Sequence, residues 1–288
     1  MLAVITIAFD PVLRLSDTSS VRYETIVLAA VLLLGLVATA WIGARTPDAA
    51  DEYGPGLRID DLVFISVGAV PGLFLGGRLG YVLDHLDFYA ANPQAIFDVA
   101  QGGLTLTLAV PLGILSGAMI ARLLGAPVGR WLHVAALPML FVLAAGKLAG
   151  VLGATGQGAG SDLEWATAYA GPGPWGSLAA DVPAHPSQVY EAVAIGLAVL
   201  VLAVVSRHRV IARPTGAALF VALGLWALAR FVVAFTWRDP AALGPLRVDQ
   251  ALLLVVAAAA VAGVIERVRS APRDAIEPAR TDLDARPA

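Results

Sequence analysis

Seven long apolar stretches separated by short polar links dominate the chain, at residues 25–44, 62–83, 104–124, 131–153, 187–206, 216–236 and 249–265. A helix needs ~20 apolar residues to cross a bilayer. Each stretch meets or approaches that length, and Leu246 extends the shortest one. The pattern predicts an all-α, polytopic membrane protein with about seven transmembrane helices. Alanine and glycine recur inside the stretches, as suits helices that pack closely where lipid supplies no hydrophobic drive between them. Pro71, Pro111 and Pro138 interrupt the second, third and fourth stretches, and each predicts a kink.

The links differ in character. Residues 154–186 form the largest insert, rich in glycine and proline and carrying Trp165, Tyr169 and Trp175. Such aromatics suit an interfacial cover. Residues 1–266 read as a single transmembrane helical domain. Residues 267–288, rich in Arg, Asp, Pro and Ala, read as a disordered cytoplasmic tail. The first nine residues are apolar but lack a basic n-region. They are expected to stay on the mature chain as a helix lying on the membrane surface.

Composition agrees with the membrane class. Of the 288 residues, 58% are hydrophobic and 14% charged, against about 25% charged in soluble domains. Cysteine is absent, which excludes disulfides, thiolate metal sites and a cysteine nucleophile. No His/Asp/Glu cluster has metal-ligand spacing, and the glycine-dense run 146–160 contains no G-x-x-x-x-G-K-[ST] phosphate loop and follows no strand. No metal, cofactor or nucleic-acid partner is expected.

Charge is sorted by link. Twelve Lys and Arg residues follow the first, third, fifth and seventh stretches, and four (Arg14, Arg22, Arg238, Arg247) lie on the opposite side. The cationic side is cytoplasmic by the positive-inside rule. The N-terminus is therefore predicted outside and the C-terminus in the cytoplasm.

Four ionic residues remain inside the apolar stretches: Arg78, Lys147, Glu191 and Arg230. A charge near the bilayer centre costs at least ~3 kcal/mol, and such residues usually face the bundle interior and serve function. In the predicted orientation, all four lie within roughly 10 Å of the outer interface at 1.5 Å rise per residue, together with Tyr23 and Thr107. Three cations at one level predict a cavity in the outer leaflet for an anionic ligand, of which phospholipid headgroups are the most abundant there. Blander readings stand beside this one. Arg78, in Gly76-Gly77-Arg78-Leu79-Gly80-Tyr81, is also placed to snorkel from a packing motif. Glu191 shares a helical face with Gln188, and it is the natural structural partner of Arg230, whose planar fork otherwise matches phosphate. His185 and Glu191 are candidates to organise a site. His85 is an open candidate outside the second stretch, whereas His133 and His208 sit near cytoplasmic ends.

The ordered motifs Gly76-Gly77-Arg78-Leu79-Gly80-Tyr81, Gly102-Gly103-Leu104-Thr105, His185-Pro186-Ser187-Gln188-Val189-Tyr190-Glu191, Arg230-Phe231-Val232-Val233 and Arg238-Asp239-Pro240 resemble those of prolipoprotein diacylglyceryl transferases. Phe9-Asp10-Pro11-Val12 and Tyr23 fit the family's opening, and Val248-Asp249-Gln250 fits its last span, so the likeness covers most of residues 9–266. It implies transfer of diacylglycerol from phosphatidylglycerol to the lipobox cysteine of a prolipoprotein signal peptide, in the bacterial cytoplasmic (inner) membrane. It further implies that Arg230 holds the phosphate and stabilises the departing charge, and that Arg78 and Lys147 add positive potential. Tyr23, Tyr81, Thr107 and Gln188 would line the substrate, and Tyr23 would hydrogen-bond the headgroup.

The chain departs from the family pattern at several positions. Thr107 stands in place of a histidine, Lys147 of an arginine, Gly150 and Gly153 of asparagines, and Thr155 and Ala234 of glutamates. Two outcomes are open at this point. One is a transferase with a rearranged site, in which His185, Glu191 or the lipid phosphate helps to deprotonate the thiol. The other is a non-catalytic or altered-substrate paralogue that binds or transports lipid.

Overall fold

A computed structural model describes residues 4–46, 56–98, 102–213 and 215–270. Three short strands come first, β1 (Ile5–Ala8), β2 (Val12–Arg14) and β3 (Ser20–Arg22), followed by helices α1 (Tyr23–Arg45), α2 (Ile59–Asp84) and α3 (Leu86–Ala91). Then come α4 (Leu106–Leu123), α5 (Val128–Ala149), strand β4 (Thr167–Ala170), α6 (Ser187–Val205), α7 (Arg209–Ala212), α8 (Ala217–Val233) and α9 (Val248–Arg269). Seven of these helices, α1, α2, α4, α5, α6, α8 and α9, are long and apolar enough to cross a membrane, and they coincide with the seven stretches read from the sequence. The protein is thus a multi-pass membrane protein. Helices α2, α4 and α5 continue through Pro71, Pro111 and Pro138.

Leu140, Ile195, Leu219, Trp226 and Leu253, drawn from α5, α6, α8 and α9, form the buried centre of the bundle. Leucine and valine also crowd the outer faces, where Leu33, Val67, Leu200 and Val255 are more than half exposed. An apolar exterior of this kind marks a membrane-facing surface. Helices α2 and α4 approach closest. A Cβ on Gly72 or Gly76 would overlap the backbone carbonyls of Leu112 or Leu108, so those glycines set the spacing of the pair.

A polar cap covers one end of the bundle. The first residues are not a surface helix. Ile5–Ala8 form β1, which pairs in parallel with β4 from the 154–186 insert, Ile5 opposite Thr167 and Ala8 opposite Ala170. Ile5-Thr6-Ile7 is β-branched throughout and favours extended chain, and the insert supplies the neighbour that completes it. Strands β2 and β3 form a hairpin leading into α1.

Arg238 fastens the insert to the bundle. Its Nε donates to Gly158 O, its Nη1 to Ser177 Oγ at 3.0 Å, and its Nη2 to Gln157 Oε1 at 3.1 Å. Within the insert, Ala154, Tyr169 and Ala180 form a small core with Trp175. Burial pushes the Tyr169 hydroxyl up to about 12, although Gln188 donates a hydrogen bond to it at 3.0 Å. Of the expected tail, residues 271–288 lie outside the described residues, and α9 carries helix on to Arg269.

Candidate functional site

The ends of α5 and α8 and the beginnings of α4, α6 and α9 meet at one level beneath the cap. Each contributes one polar side chain: Lys147 from α5, Arg230 from α8, Thr107 from α4, Glu191 from α6 and Asp249 from α9. Glu191 is 1% exposed and holds both cations, taking Lys147 Nζ on Oε2 at 2.9 Å and Arg230 Nη1 on Oε1 at 2.8 Å. Arg230 Nη2 reaches Asp249 Oδ2 at 3.2 Å, and its Nε donates to Thr107 Oγ1 at 3.3 Å. The guanidinium also lies 4.3 Å from the centre of the Trp237 ring, an arrangement that favours a cation. Buried ions in so tight a mesh hold one another in place, because removing any partner leaves an uncompensated charge.

This mesh forms a wall of a cavity of about 390 Å³, with Tyr81, Asp84, His85, Thr105 and Leu104 along another wall and Gln157, Gly176, Ser177, Trp237, Arg238 and Asp239 contributed by the cap and its neighbours. Of the five N–H groups of a guanidinium, three on Arg230 are committed to Glu191, Asp249 and Thr107. Two have no partner among the described residues. Lys147 likewise spends one of its three on Glu191. The free donors belong to two cavity-lining cations that a single carboxylate holds together.

The expected grouping of Arg78, Lys147, Glu191 and Arg230 forms except at Arg78. Arg78 lines no part of this cavity. Its guanidinium donates to the carbonyls of Ile96, Ala95 and Asp98 at 2.7, 2.7 and 2.9 Å, holding the loop that follows α3. Nor is the cavity cationic in sum. Lys147, Arg230 and Arg238 face Asp84, Glu191, Asp239 and Asp249, because buried cations require carboxylate partners in a low dielectric.

Tyr81 lines the cavity, and Thr107 reaches it only through Arg230. Gln188 is buried against Tyr169 under the insert. His185 packs edge-on to Tyr190 and does not line the cavity. Tyr23 begins α1 at 36% exposure, also off the cavity. Trp237 and Asp84 were not singled out from the sequence, and Arg238 and Asp249 entered only through the family motifs, not as site residues.

The departures at Gly153 and Thr155 also have a local partner. Glu24, in the first turn of α1, accepts a hydrogen bond from Thr155 Oγ1 at 2.8 Å, and its carboxylate occupies the space that a Cβ on Gly153 would need. Arg22 Nη2 bridges the group, 3.5 Å from Glu24 Oε2 and 3.1 Å from Gly153 O.

The fold and this cluster define a helical integral membrane protein with an ion-paired cavity at one end of its bundle. The chain belongs to the prolipoprotein diacylglyceryl transferase family, whose model matches residues 14–266. It is similar to the phosphatidylglycerol--prolipoprotein diacylglyceryl transferase of Geobacter sulfurreducens, 33% identical over 218 residues that cover 74% of this chain and 78% of that protein. The enzyme of the same name from Nitrobacter hamburgensis is 30% identical over 242 residues, covering 81% and 77%. That from Pseudomonas aeruginosa strain LESB58 is 30% identical over 257 residues, covering 85% and 89%.

Proposed function

We propose that this protein transfers the diacylglyceryl group of phosphatidylglycerol to the lipobox cysteine thiol of a prolipoprotein, at the outer leaflet of the bacterial inner membrane, with its N-terminus outside and its C-terminus in the cytoplasm. Family membership and the names of its relatives support the reaction. The observation that carries the assignment to this site is the Lys147–Glu191–Arg230 triad, which turns one buried and one partly buried cation toward one cavity with donors to spare.

The chemistry follows from that arrangement. The phosphate of the lipid accepts hydrogen bonds from Arg230 and Lys147. The thiolate attacks the glyceryl carbon next to the phosphate oxygen, the carbon–oxygen bond breaks, and glycerol phosphate leaves as the thioether forms. Negative charge grows on the departing phosphate, where preorganised cations lower the barrier. Glu191, Asp249 and Thr107 fix the guanidinium plane, so little reorganisation is needed as charge develops. A planar fork suits this role, and lysine at position 147 complements it as a point charge.

Purified protein in phosphatidylglycerol vesicles with a lipobox peptide should yield thioether-linked peptide and glycerol phosphate, and Arg230→Ala should yield neither. Wild-type protein that forms no thioether product under conditions where a relative's enzyme does would overturn the proposal.

A further inference from the structure

Transfer to a thiol requires that its proton be removed, and the cluster just described is poorly suited to accept it. Both oxygens of Glu191 are taken by Lys147 and Arg230, and Asp249 is paired with Arg230. His185 does not line the cavity. Position 107, where the sequence suggested a histidine in relatives, holds a threonine bound to Arg230.

The cavity has one imidazole among its lining residues, that of His85 at the end of α2. Its Nδ1 lies 3.0 Å from the carbonyl oxygen of Tyr81. A carbonyl only accepts, so Nδ1 carries the hydrogen, and in the neutral ring Nε2 is left with the lone pair. The ring stacks on Tyr81, with centroids 4.2 Å apart and planes within 19°. Tautomer and ring plane are therefore both held. His85 is also the C-cap of α2, where the helix end favours a positive charge, and the neighbouring carboxylate of Asp84 lines the same cavity.

We infer that His85 is the general base of this chain's site, a reading that rests on the proposed transfer. In the step, the thiol proton passes to Nε2 of His85. The sulfur electron pair forms the bond to the glyceryl carbon, the carbon–oxygen bond electrons leave with glycerol phosphate, and the imidazolium then returns its proton to water. His85 lines the cavity and is exposed, so the proton it takes can pass on to water.

The test compares wild-type, His85→Gln and Arg230→Ala protein in phosphatidylglycerol vesicles with two lipobox peptides, one bearing cysteine and the other selenocysteine, whose selenol is already ionised at neutral pH. With the cysteine peptide, His85→Gln should fall about 100-fold in kcat with KM for the peptide unchanged. With the selenocysteine peptide, His85→Gln should recover to within a few-fold of wild type, whereas Arg230→Ala should stay inactive with both. A merely structural role would depress both peptides alike. Equal rates for wild type and His85→Gln on the cysteine peptide, or equal losses on both peptides, would overturn the base assignment and leave the transferase reading standing. A wild-type protein inactive on both peptides would overturn both.

Discussion

Arg230 and Arg78 look alike along the chain, each a lone arginine near the end of an apolar helix that runs toward the same end of the bundle. In the fold they have opposite employments. Arg230 is gripped by side chains, the carboxylates of Glu191 and Asp249 and the hydroxyl of Thr107, and keeps donors in reserve beside a cavity. Arg78 gives its fork to three backbone carbonyls of the loop after α3, with the Tyr89 ring 5.2 Å from its guanidinium. An intramembrane cation is costly wherever it lies. What separates the two is their surroundings: Arg230 lines the cavity and Arg78 does not. Backbone carbonyls of a neighbouring segment make a cation part of the scaffold. Carboxylates that are themselves held leave it oriented and still available.

The largest effect should come from the residue that makes Arg230 and Lys147 a pair. Glu191→Ala strands both cations, and removing one partner of a buried ion pair costs about 3–5 kcal/mol. Thermal unfolding in detergent should show that loss, together with loss of transfer. An unchanged melting temperature would mean that the triad does not hold the bundle end together. Arg230→Lys keeps the charge but cannot span Glu191, Asp249 and Thr107 at once, and kcat should drop about 100- to 1,000-fold, the loss typical of one transition-state donor. Retention of wild-type kcat would show that a point charge suffices.

Arg78→Lys sharpens the contrast. It deprives the carbonyls of Ala95, Ile96 and Asp98 of the donors that Arg78 supplies, at about 1–3 kcal/mol of stability, yet the transfer rate per folded molecule should match wild type. A selective fall in kcat would place Arg78 in the chemistry after all. The smallest effect belongs to the cap. Tyr169→Phe removes the acceptor for Gln188 Nε2 and should cost about 1 kcal/mol. The Tyr169 hydroxyl, pushed up to about 12 by burial, favours its protonated form in the fold. Its stabilisation is complete below the ordinary tyrosine range and is lost as pH rises through about 12. Difference absorbance of wild type against Tyr169→Phe should show one tyrosinate appearing late, and an early one would mean that the insert is open.

Much of the fold was legible because hydropathy is a local property. Seven helices follow from seven apolar runs, and even their ends were found to within a few residues. The level of the site was legible too, since Lys147, Glu191, Arg230 and Thr107 each occupy the appropriate third of their run. Partner choice was not legible. Nothing in Gly76-Gly77-Arg78 distinguishes a guanidinium that turns toward the loop at 95–98 from one that turns toward Glu191. Asp249 stood only within a family motif, His85 as an open candidate with no assigned role, and Ile5–Ala8 as part of a surface helix. In each case the deciding neighbour lies elsewhere in the sequence: Arg230 for Asp249, the cavity for His85, and Thr167–Ala170 for the first strand.

The amino-acid order alone therefore determined how many helices are long and apolar enough to cross a bilayer and which turns of them carry the charged residues, because length and hydropathy act one helix at a time. Only the tertiary structure decided which charges meet. A buried ion settles on whichever opposite charge or carbonyl the packing of other helices brings within about 3 Å, and that proximity is written in no single segment.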